Sequence, residues 1–253
     1  MPCYRMNRNH LLIAATALLP FTASADAVGL RIGAYAWQQE FEGTVQDGPT
    51  EIDINSTLGL DDETNNVFYV ALEHPIPVLP NIALSHTEME VSARNRLNEN
   101  FVFDDQVFIV TDTVTTNADL SHTDLTLYYE VLDNWVSLDL GLTVRAFDSS
   151  IDIKSSSGDA ELDIDGALPM LYAAVKFDLP LTGLYVGASG SGISYEDSSI
   201  TDYMLNIGYE TTFGLGVEAG LRSFDINYED EDDDTEQADL TVDGSYVSLF
   251  YHF

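Results

Sequence analysis

Cysteine is all but missing from this chain: the single example is Cys3. Residues 26–253 therefore hold no disulfide and no thiol chemistry, which suits a protein that passes unfolded through an oxidising compartment. No cysteine follows the cleavage site proposed below, so a lipoprotein anchor is excluded too. Basic residues are scarce: nine Lys and Arg stand against 43 Asp and Glu, a formal net charge of −34. Nucleic acid is excluded as a partner, because phosphate binding runs on clustered positive charge. Long apolar runs are missing beyond the first 25 residues. A helix needs about 20 such residues to cross a bilayer, so an inner-membrane helical protein is excluded.

What is present begins with a leader. Arg5 and Arg8 precede the uncharged apolar stretch Leu11–Phe21, and Ala23-Ser24-Ala25 supplies small residues before Asp26. Charge, length and small residues together predict a cleaved secretory signal peptide over 1–25. The other end predicts an assembly signal. Val247, Leu249, Tyr251 and Phe253 are apolar at alternate positions, and the chain stops on the aromatic Phe253. Such an ending resembles the signature that the barrel-assembly machinery reads in bacterial outer-membrane proteins. Without the leader, seven basic residues face 43 acidic ones, a formal charge of −36.

The dominant period between these ends is two. Val136, Leu138, Leu140, Leu142 and Val144 share one face of a segment, with Ser137, Asp139, Gly141, Thr143 and Arg145 on the other. Tyr203, Leu205, Ile207 and Tyr209 alternate in the same way with Met204, Asn206 and Gly208. Alternation over about ten residues is what a strand with lipid outside and a polar interior requires. Ten such strands are expected near 27–38, 65–74, 81–94, 118–132, 134–147, 165–178, 183–196, 199–212, 214–228 and 240–253. Long connections (39–64, 95–117, 148–164, 229–239) alternate with short ones. The fold class is then all-β: a transmembrane up-and-down antiparallel β-barrel of about ten strands with long extracellular loops, occupying 26–253. A soluble sandwich or lipocalin-like barrel is the competitor, since alternation alone does not say which face meets water. The terminal signature, the loop asymmetry and the strand length favour the membrane barrel. Trp37, Tyr69, Tyr129, Trp135, Phe177, Tyr185 and Tyr203 are candidates for interfacial girdles. In 214–228 the apolar face switches near Arg222-Ser223, which calls for a bulge or for emergence of the strand above the membrane.

The same parity sends Arg31, Glu73, Asp124, Glu130, Asp139, Arg145, Lys176, Glu210, Glu218 and Arg222 inward. Opposite charges in so narrow a barrel predict an interior ion-pair network. A barrel of about eight strands is filled by its own side chains and about sixteen are needed for an open channel, so the lumen is expected to be closed. A narrow channel for cations or small solutes is the alternative. The acidic clusters Asp61-Asp62-Glu63, Asp159, Glu161, Asp163 and Asp165, and Glu229–Glu236 are placed in outer loops, apart from Asp165 at a strand edge. They are expected to be solvated, with loose divalent-cation binding at Asp230, Asp232 and Asp234 the weaker reading and no metal site or cofactor otherwise. A third class is a surface hydrolase: His122 lies near Asp119 and Asp124, with Asp104 and Asp105 in the preceding loop. No serine-centred motif and no metal-spaced histidine pair accompanies it, and a non-enzymatic barrel is expected.

Several stretches together resemble a family of uncharacterised Gram-negative outer-membrane barrel proteins of about this length. They are Gly29-Leu30-Arg31-Ile32-Gly33 with Trp37-Gln38-Gln39, Leu58-Gly59-Leu60-Asp61-Asp62-Glu63, Ala71-Leu72-Glu73-His74-Pro75-Ile76-Pro77, Leu79-Pro80-Asn81 and the Tyr251-His252-Phe253 end. The resemblance spans nearly the whole chain. It implies a barrel in the outer membrane and carries over no activity and no catalytic residue. The partners expected are outer-membrane lipid, lipopolysaccharide and, during biogenesis, the barrel-assembly machinery, with the protein itself a monomer.

Overall fold

A computed structural model describes residues 28–47, 49–104, 106–229 and 236–253. The leader at 1–25 and Asp230, Asp232 and Asp234 lie outside them. Fifteen strands follow in chain order: β1 (Gly29–Asp47), β2 (Glu51–Asp53), β3 (Glu63–Glu73), β4 (Asn81–Thr87), β5 (Glu90–Arg96), β6 (Phe101–Phe103), β7 (Gln106–Phe108), β8 (Thr113–Asp119), β9 (His122–Asp133), β10 (Val136–Lys154), β11 (Asp159–Asp178), β12 (Leu184–Tyr195), β13 (Ser198–Glu210), β14 (Leu215–Glu229) and β15 (Glu236–His252). Every pairing is antiparallel, β15 closes onto β1, and β10 onto β11. With β4 and β5 forming one stave and β8 and β9 another, the result is a closed ten-stranded barrel. There is no helix among the described residues. All ten expected strands are present at the expected places.

The strands are longer than their periodicity suggests, and their polarity inverts along their length. On β10 the outward residues Leu140, Leu142 and Val144 are 46%, 54% and 43% exposed, while Thr143 and Arg145 point inward and are buried. Further along, with the parity unchanged, the inward residues become Phe147, Ile151 and Ile153 and the outward ones Asp148, Asp152 and Lys154. Below this switch the barrel is apolar outside and polar inside; above it the arrangement is that of a soluble protein. The outward apolar run Leu138–Ala146 covers roughly 20 Å once strand rise and a 35–45° tilt are applied, close to the ~25 Å apolar band of outer-membrane barrels. Exposed Tyr129, Trp135, Phe177, Tyr209, Phe213, Tyr251 and Phe253 ring the end at which β1 begins and β15 finishes. Trp37, Tyr69 and Tyr185 turn inward and leave the girdle.

The switch also settles β14. Its register with β13 and β15 is unbroken from Leu215 to Glu229, so there is no bulge at Arg222-Ser223. Phe224 keeps the parity of Arg222 and enters the upper core. The expected outer loops shrink for the same reason: β10 and β11 pair as far as Lys154↔Asp159, which leaves a turn where residues 148–164 read as a long loop. Asp159, Glu161, Asp163 and Asp165 are therefore strand residues on the outer face.

The upper half is closed from within. Segments between the staves fold over the opening: Ile52, Ile54, Leu58 and Leu60 from one, and from the other Leu97, just after β5, with Phe101, Phe103 and Phe108 of the β6–β7 hairpin, all buried in one cluster with Phe41, Val91, Val114, Ile153 and Val242. Side-chain amides hold these segments to the barrel. Asn55 donates to the carbonyls of Phe41 and Leu60, and Asn95 to those of Ser56 and Thr57. The turn after β2 is fixed by Asp53, whose Oδ1 accepts from the Ser56 amide at 2.7 Å, the Ser56 hydroxyl at 2.9 Å and the Asn55 amide at 3.1 Å. The Ser56 bonds, backbone first, hold this carboxyl below its ordinary value. A depressed carboxyl adds stability above its unfolded-state pKa, and that stability is lost as pH falls through the folded value. Asp53→Asn should thus flatten the acid limb of the stability curve below about pH 4, read as urea midpoints across pH; an unchanged limb would remove Asp53 from that account.

Candidate functional site

The polar interior divides into three levels. Directly beneath the apolar plug lies a buried ion-pair layer on four strands. Arg145 on β10 forks onto Asp124 of β9, Nε to Oδ1 at 2.8 Å and Nη2 to Oδ2 at 2.7 Å. The same Nη2 reaches Asp202 Oδ2 on β13 at 2.6 Å. Arg222 on β14 forks onto Asp202 from the other side, Nε at 3.0 Å and Nη2 at 2.6 Å. Its Nη1 donates to Tyr35 and Thr87, and its guanidinium lies over the Trp37 ring. The two arginines and two aspartates are formally neutral together, and each arginine is at most 5% exposed. Bidentate geometry and matched charge are what such burial demands.

His122 completes this level. It is 2% exposed, with its ring against Phe147 and Phe224 and Nδ1 3.1 Å from the Leu120 carbonyl. One ligating atom each of His122, Asp124 and Asp202 come within 4.8 Å of one another. Both carboxylates already accept from arginine, so a cation here would displace a guanidinium. His122 is thus an interior residue, away from the outer rim expected for a hydrolase. Asp119 accepts from the Ser121 amide instead.

Below the layer is a cavity of about 520 Å³ that runs to the end where β1 begins and β15 finishes, and Asp133, Glu210 and His252 line it there. Its middle level joins acids to tyrosines. Glu218 accepts from Tyr185 and Tyr246, both at 2.8 Å, and Arg31 donates to Tyr185 at 3.1 Å while stacking on Phe250. Tyr128 donates to Glu73 at 3.1 Å. Two of these rings lie flat against interior glycines, Tyr185 on Gly208 and Phe250 on Gly216; a Cβ at either glycine would overlap the ring. At the rim, Lys176 pairs with Asp178 at 3.4 Å and Glu210 with His252 at 3.3 Å.

Of the ten charges assigned inward by parity, the structure joins Asp124, Arg145 and Arg222 in one cluster. Arg31 and Glu218 meet through a tyrosine, Glu73 and Asp139 line the cavity wall, Glu130 lines the cavity as well, and Lys176 and Glu210 sit at the rim. The residue that ties the cluster together, Asp202, stands on the polar face of its strand with Met204, Asn206, Gly208 and Glu210 in the sequence pattern, but it is not among the ten. Val247, Leu249, Tyr251 and Phe253 all face outward, 67%, 58%, 39% and 68% exposed.

No family model matches this chain, and no curated protein sequence matches it. Among solved structures it is similar to the outer membrane protease OmpT from Escherichia coli: 11% identity, 91% of this chain and 98% of that one covered, TM-score 0.54. The translocator domain of the autotransporter NalP from Neisseria meningitidis aligns at 13% identity over 91% of this chain and 90% of that one, with a TM-score of 0.42. The transport unit of the autotransporter AIDA-I from Escherichia coli aligns at 8% identity over 94% and 93%, with a TM-score of 0.38. The likeness to the protease structure establishes the barrel fold of this chain and, at 11% identity, nothing beyond the fold.

Proposed function

We propose that the chain is an integral outer-membrane barrel whose lumen is sealed at the outer end and whose role is structural or surface-interactive. The observation that carries this reading is the filled upper half. Phe41, Ile52, Leu58, Phe101, Phe108 and Ile153 are each at most 3% exposed inside the staves, directly above the neutral arginine–aspartate layer. An ion entering from the rim would meet two neutralised guanidinium forks and then a dry apolar core. The exposed apolar belt supports residence in lipid, since soluble monomers rarely expose contiguous apolar patches larger than a few hundred Å².

The surface that meets the medium is acidic. Asp148 stands opposite Asp165 and Asp152 opposite Glu161 on the outer face of β10 and β11. Like charges at these distances favour screening by salt or loosely held divalent cations, which would also bridge the surface to anionic lipopolysaccharide. The exterior cations among the described residues are Arg94, Arg96 and Lys154, and Thr115 stands in register between Arg94 and Lys154. The proposed role is non-enzymatic and monomeric, with no cofactor. The burial of His122 supports the absence of a catalytic step.

Planar-bilayer recording of the purified, refolded protein tests the sealed lumen. The expected result is a silent membrane at potentials that drive known porins. Stable unit currents would overturn it and install the narrow cation channel, for which the excess of carboxylates in the lower cavity is the supporting feature.

A further inference from the structure

Every cation that points into this barrel rests on an aromatic ring. Arg31 lies 3.8 Å from the Phe250 centroid, Arg145 5.0 Å from that of Phe224, Arg222 4.5 Å from that of Trp37, and the Lys176 ammonium 5.7 Å from that of Tyr185. The interior thus solves one problem four times over, holding a positive group against a π face. One further aromatic–carboxylate wall has the same composition and, among the described residues, no side-chain cation in direct contact with its carboxylates. On β9 and β11, Tyr128 and Tyr172 face each other across Gly141, with ring centroids 6.0 Å apart. Glu73 and Asp139 accompany them on the same cavity wall. Among the described residues, the Tyr128 hydroxyl is the side-chain donor to Glu73. Asp139 Oδ1 is shut off from solvent without a hydrogen-bond partner among the described residues. Lys176 is committed to Asp178 and Tyr185.

We propose that this wall is a binding site for a small organic cation, of the aliphatic diamine or alkylammonium class, entering from the end where β1 begins and β15 finishes. The chemistry is selective in three respects. Below the neutral ion-pair layer the cavity presents Glu73, Glu130, Asp133, Asp139, Glu210 and Glu218 against Arg31 and Lys176, so anions are repelled. The paired phenol rings favour a cation with an alkyl body over a hydrated metal ion, which would shed water for few oxygen ligands. The cavity volume of about 520 Å³ falls within the roughly 300–1,000 Å³ of small-molecule sites. The Asp139 carboxylate, which lines the cavity, supplies the counter-charge for the ammonium.

The inference does not rest on the sealed lumen, because binding needs access from one end only. A conducting barrel would overturn the sealed lumen and leave the cation site standing. The test is calorimetric titration at pH 8 of the detergent-refolded full chain with butane-1,4-diamine, and with butane-1,4-diol as its uncharged isostere. Saturable binding of the diamine and none of the diol is expected. Asp139→Asn should weaken it about tenfold or more, the scale of a charged hydrogen bond. Glu210→Gln, which removes the same charge at the rim, should change it by less than about threefold, the size of a screened long-range charge effect. Tyr172→Leu provides a second route if Asp139→Asn fails to fold, with a loss of about fivefold from the missing ring face. Equal weakening by Asp139→Asn and Glu210→Gln would reduce the effect to general electrostatics and overturn the site, as would diol binding matching that of the diamine.

Discussion

Asp202→Ala is expected to cost about 3–5 kcal/mol of folding stability, the scale measured when one partner of a buried ion pair is removed. Asp202 is the hinge of the interior layer: its carboxylate accepts from Arg145 and Arg222 at 2.6 Å each and again from Arg222 at 3.0 Å, with a side chain 7% exposed. Its loss leaves two guanidinium groups sharing the single charge of Asp124, beneath an apolar core that has no water to offer. The loss is not a packing defect, so Asp202→Asn, which keeps the shape and removes the charge, should recover less than half of it. Trp37 lies 4.5 Å from the Arg222 guanidinium and reports the event directly. With Trp135 replaced by Phe, the urea midpoint followed by Trp37 fluorescence should fall sharply in Asp202→Ala. A shift worth less than about 1 kcal/mol, the size of an ordinary surface ion pair, would show that the layer is not what holds the staves together at this height.

The second large effect comes from the outer surface, and its sign depends on height along a single strand. Leu142→Arg places a charge in the middle of the apolar belt and should cost about 2–4 kcal/mol in a bilayer, as arginine does at the midplane of outer-membrane barrels. Lys154→Leu, twelve residues further along β10 and also outward, should change stability by less than about 0.5 kcal/mol, since it lies on the solvated upper surface. Ile153→Arg, its inward neighbour, is fully buried in the plug and should be as damaging as Leu142→Arg. Refolding yield into lipid vesicles, scored by the mobility difference between boiled and unboiled protein on a gel, separates these cases. If Leu142→Arg refolds as well as Lys154→Leu, the belt does not face lipid. A soluble sandwich, the competitor weighed from the sequence, predicts no boiling-dependent mobility at all.

These contrasts mark how far periodicity reaches. The alternation in residues 136–146 and 203–209 identified the staves and the inward face correctly, because a strand's side-chain period is two whatever surrounds it. The same rule misjudged where the staves end. Residues 148–153 alternate as regularly as 138–144, but with polar residues outward, and in one dimension an inversion of polarity looks like a loop or a bulge. Trp37, Tyr69 and Tyr185 show the related error at single positions: an aromatic near a strand end reads as an interfacial anchor, yet these three turn inward, two of them to carry Arg222 and Lys176.

What the sequence determined by itself is therefore the local order: a two-residue period, ten staves, an outward-facing apolar row at Val247, Leu249, Tyr251 and Phe253, and an interior supplied with both signs of charge. Only the tertiary structure decided which charges meet. Asp124, Arg145, Asp202 and Arg222 come from four strands and lie up to 98 positions apart in the chain, and their contact is set by the stagger of the staves. That stagger is fixed when β15 closes onto β1, and no single strand carries a record of it. The apolar plug is tertiary in the same sense. Residues 52–60 and 97–108 carry no strong periodicity, and they become a core because the upper staves turn apolar faces inward and leave a space that only folded-over chain can fill.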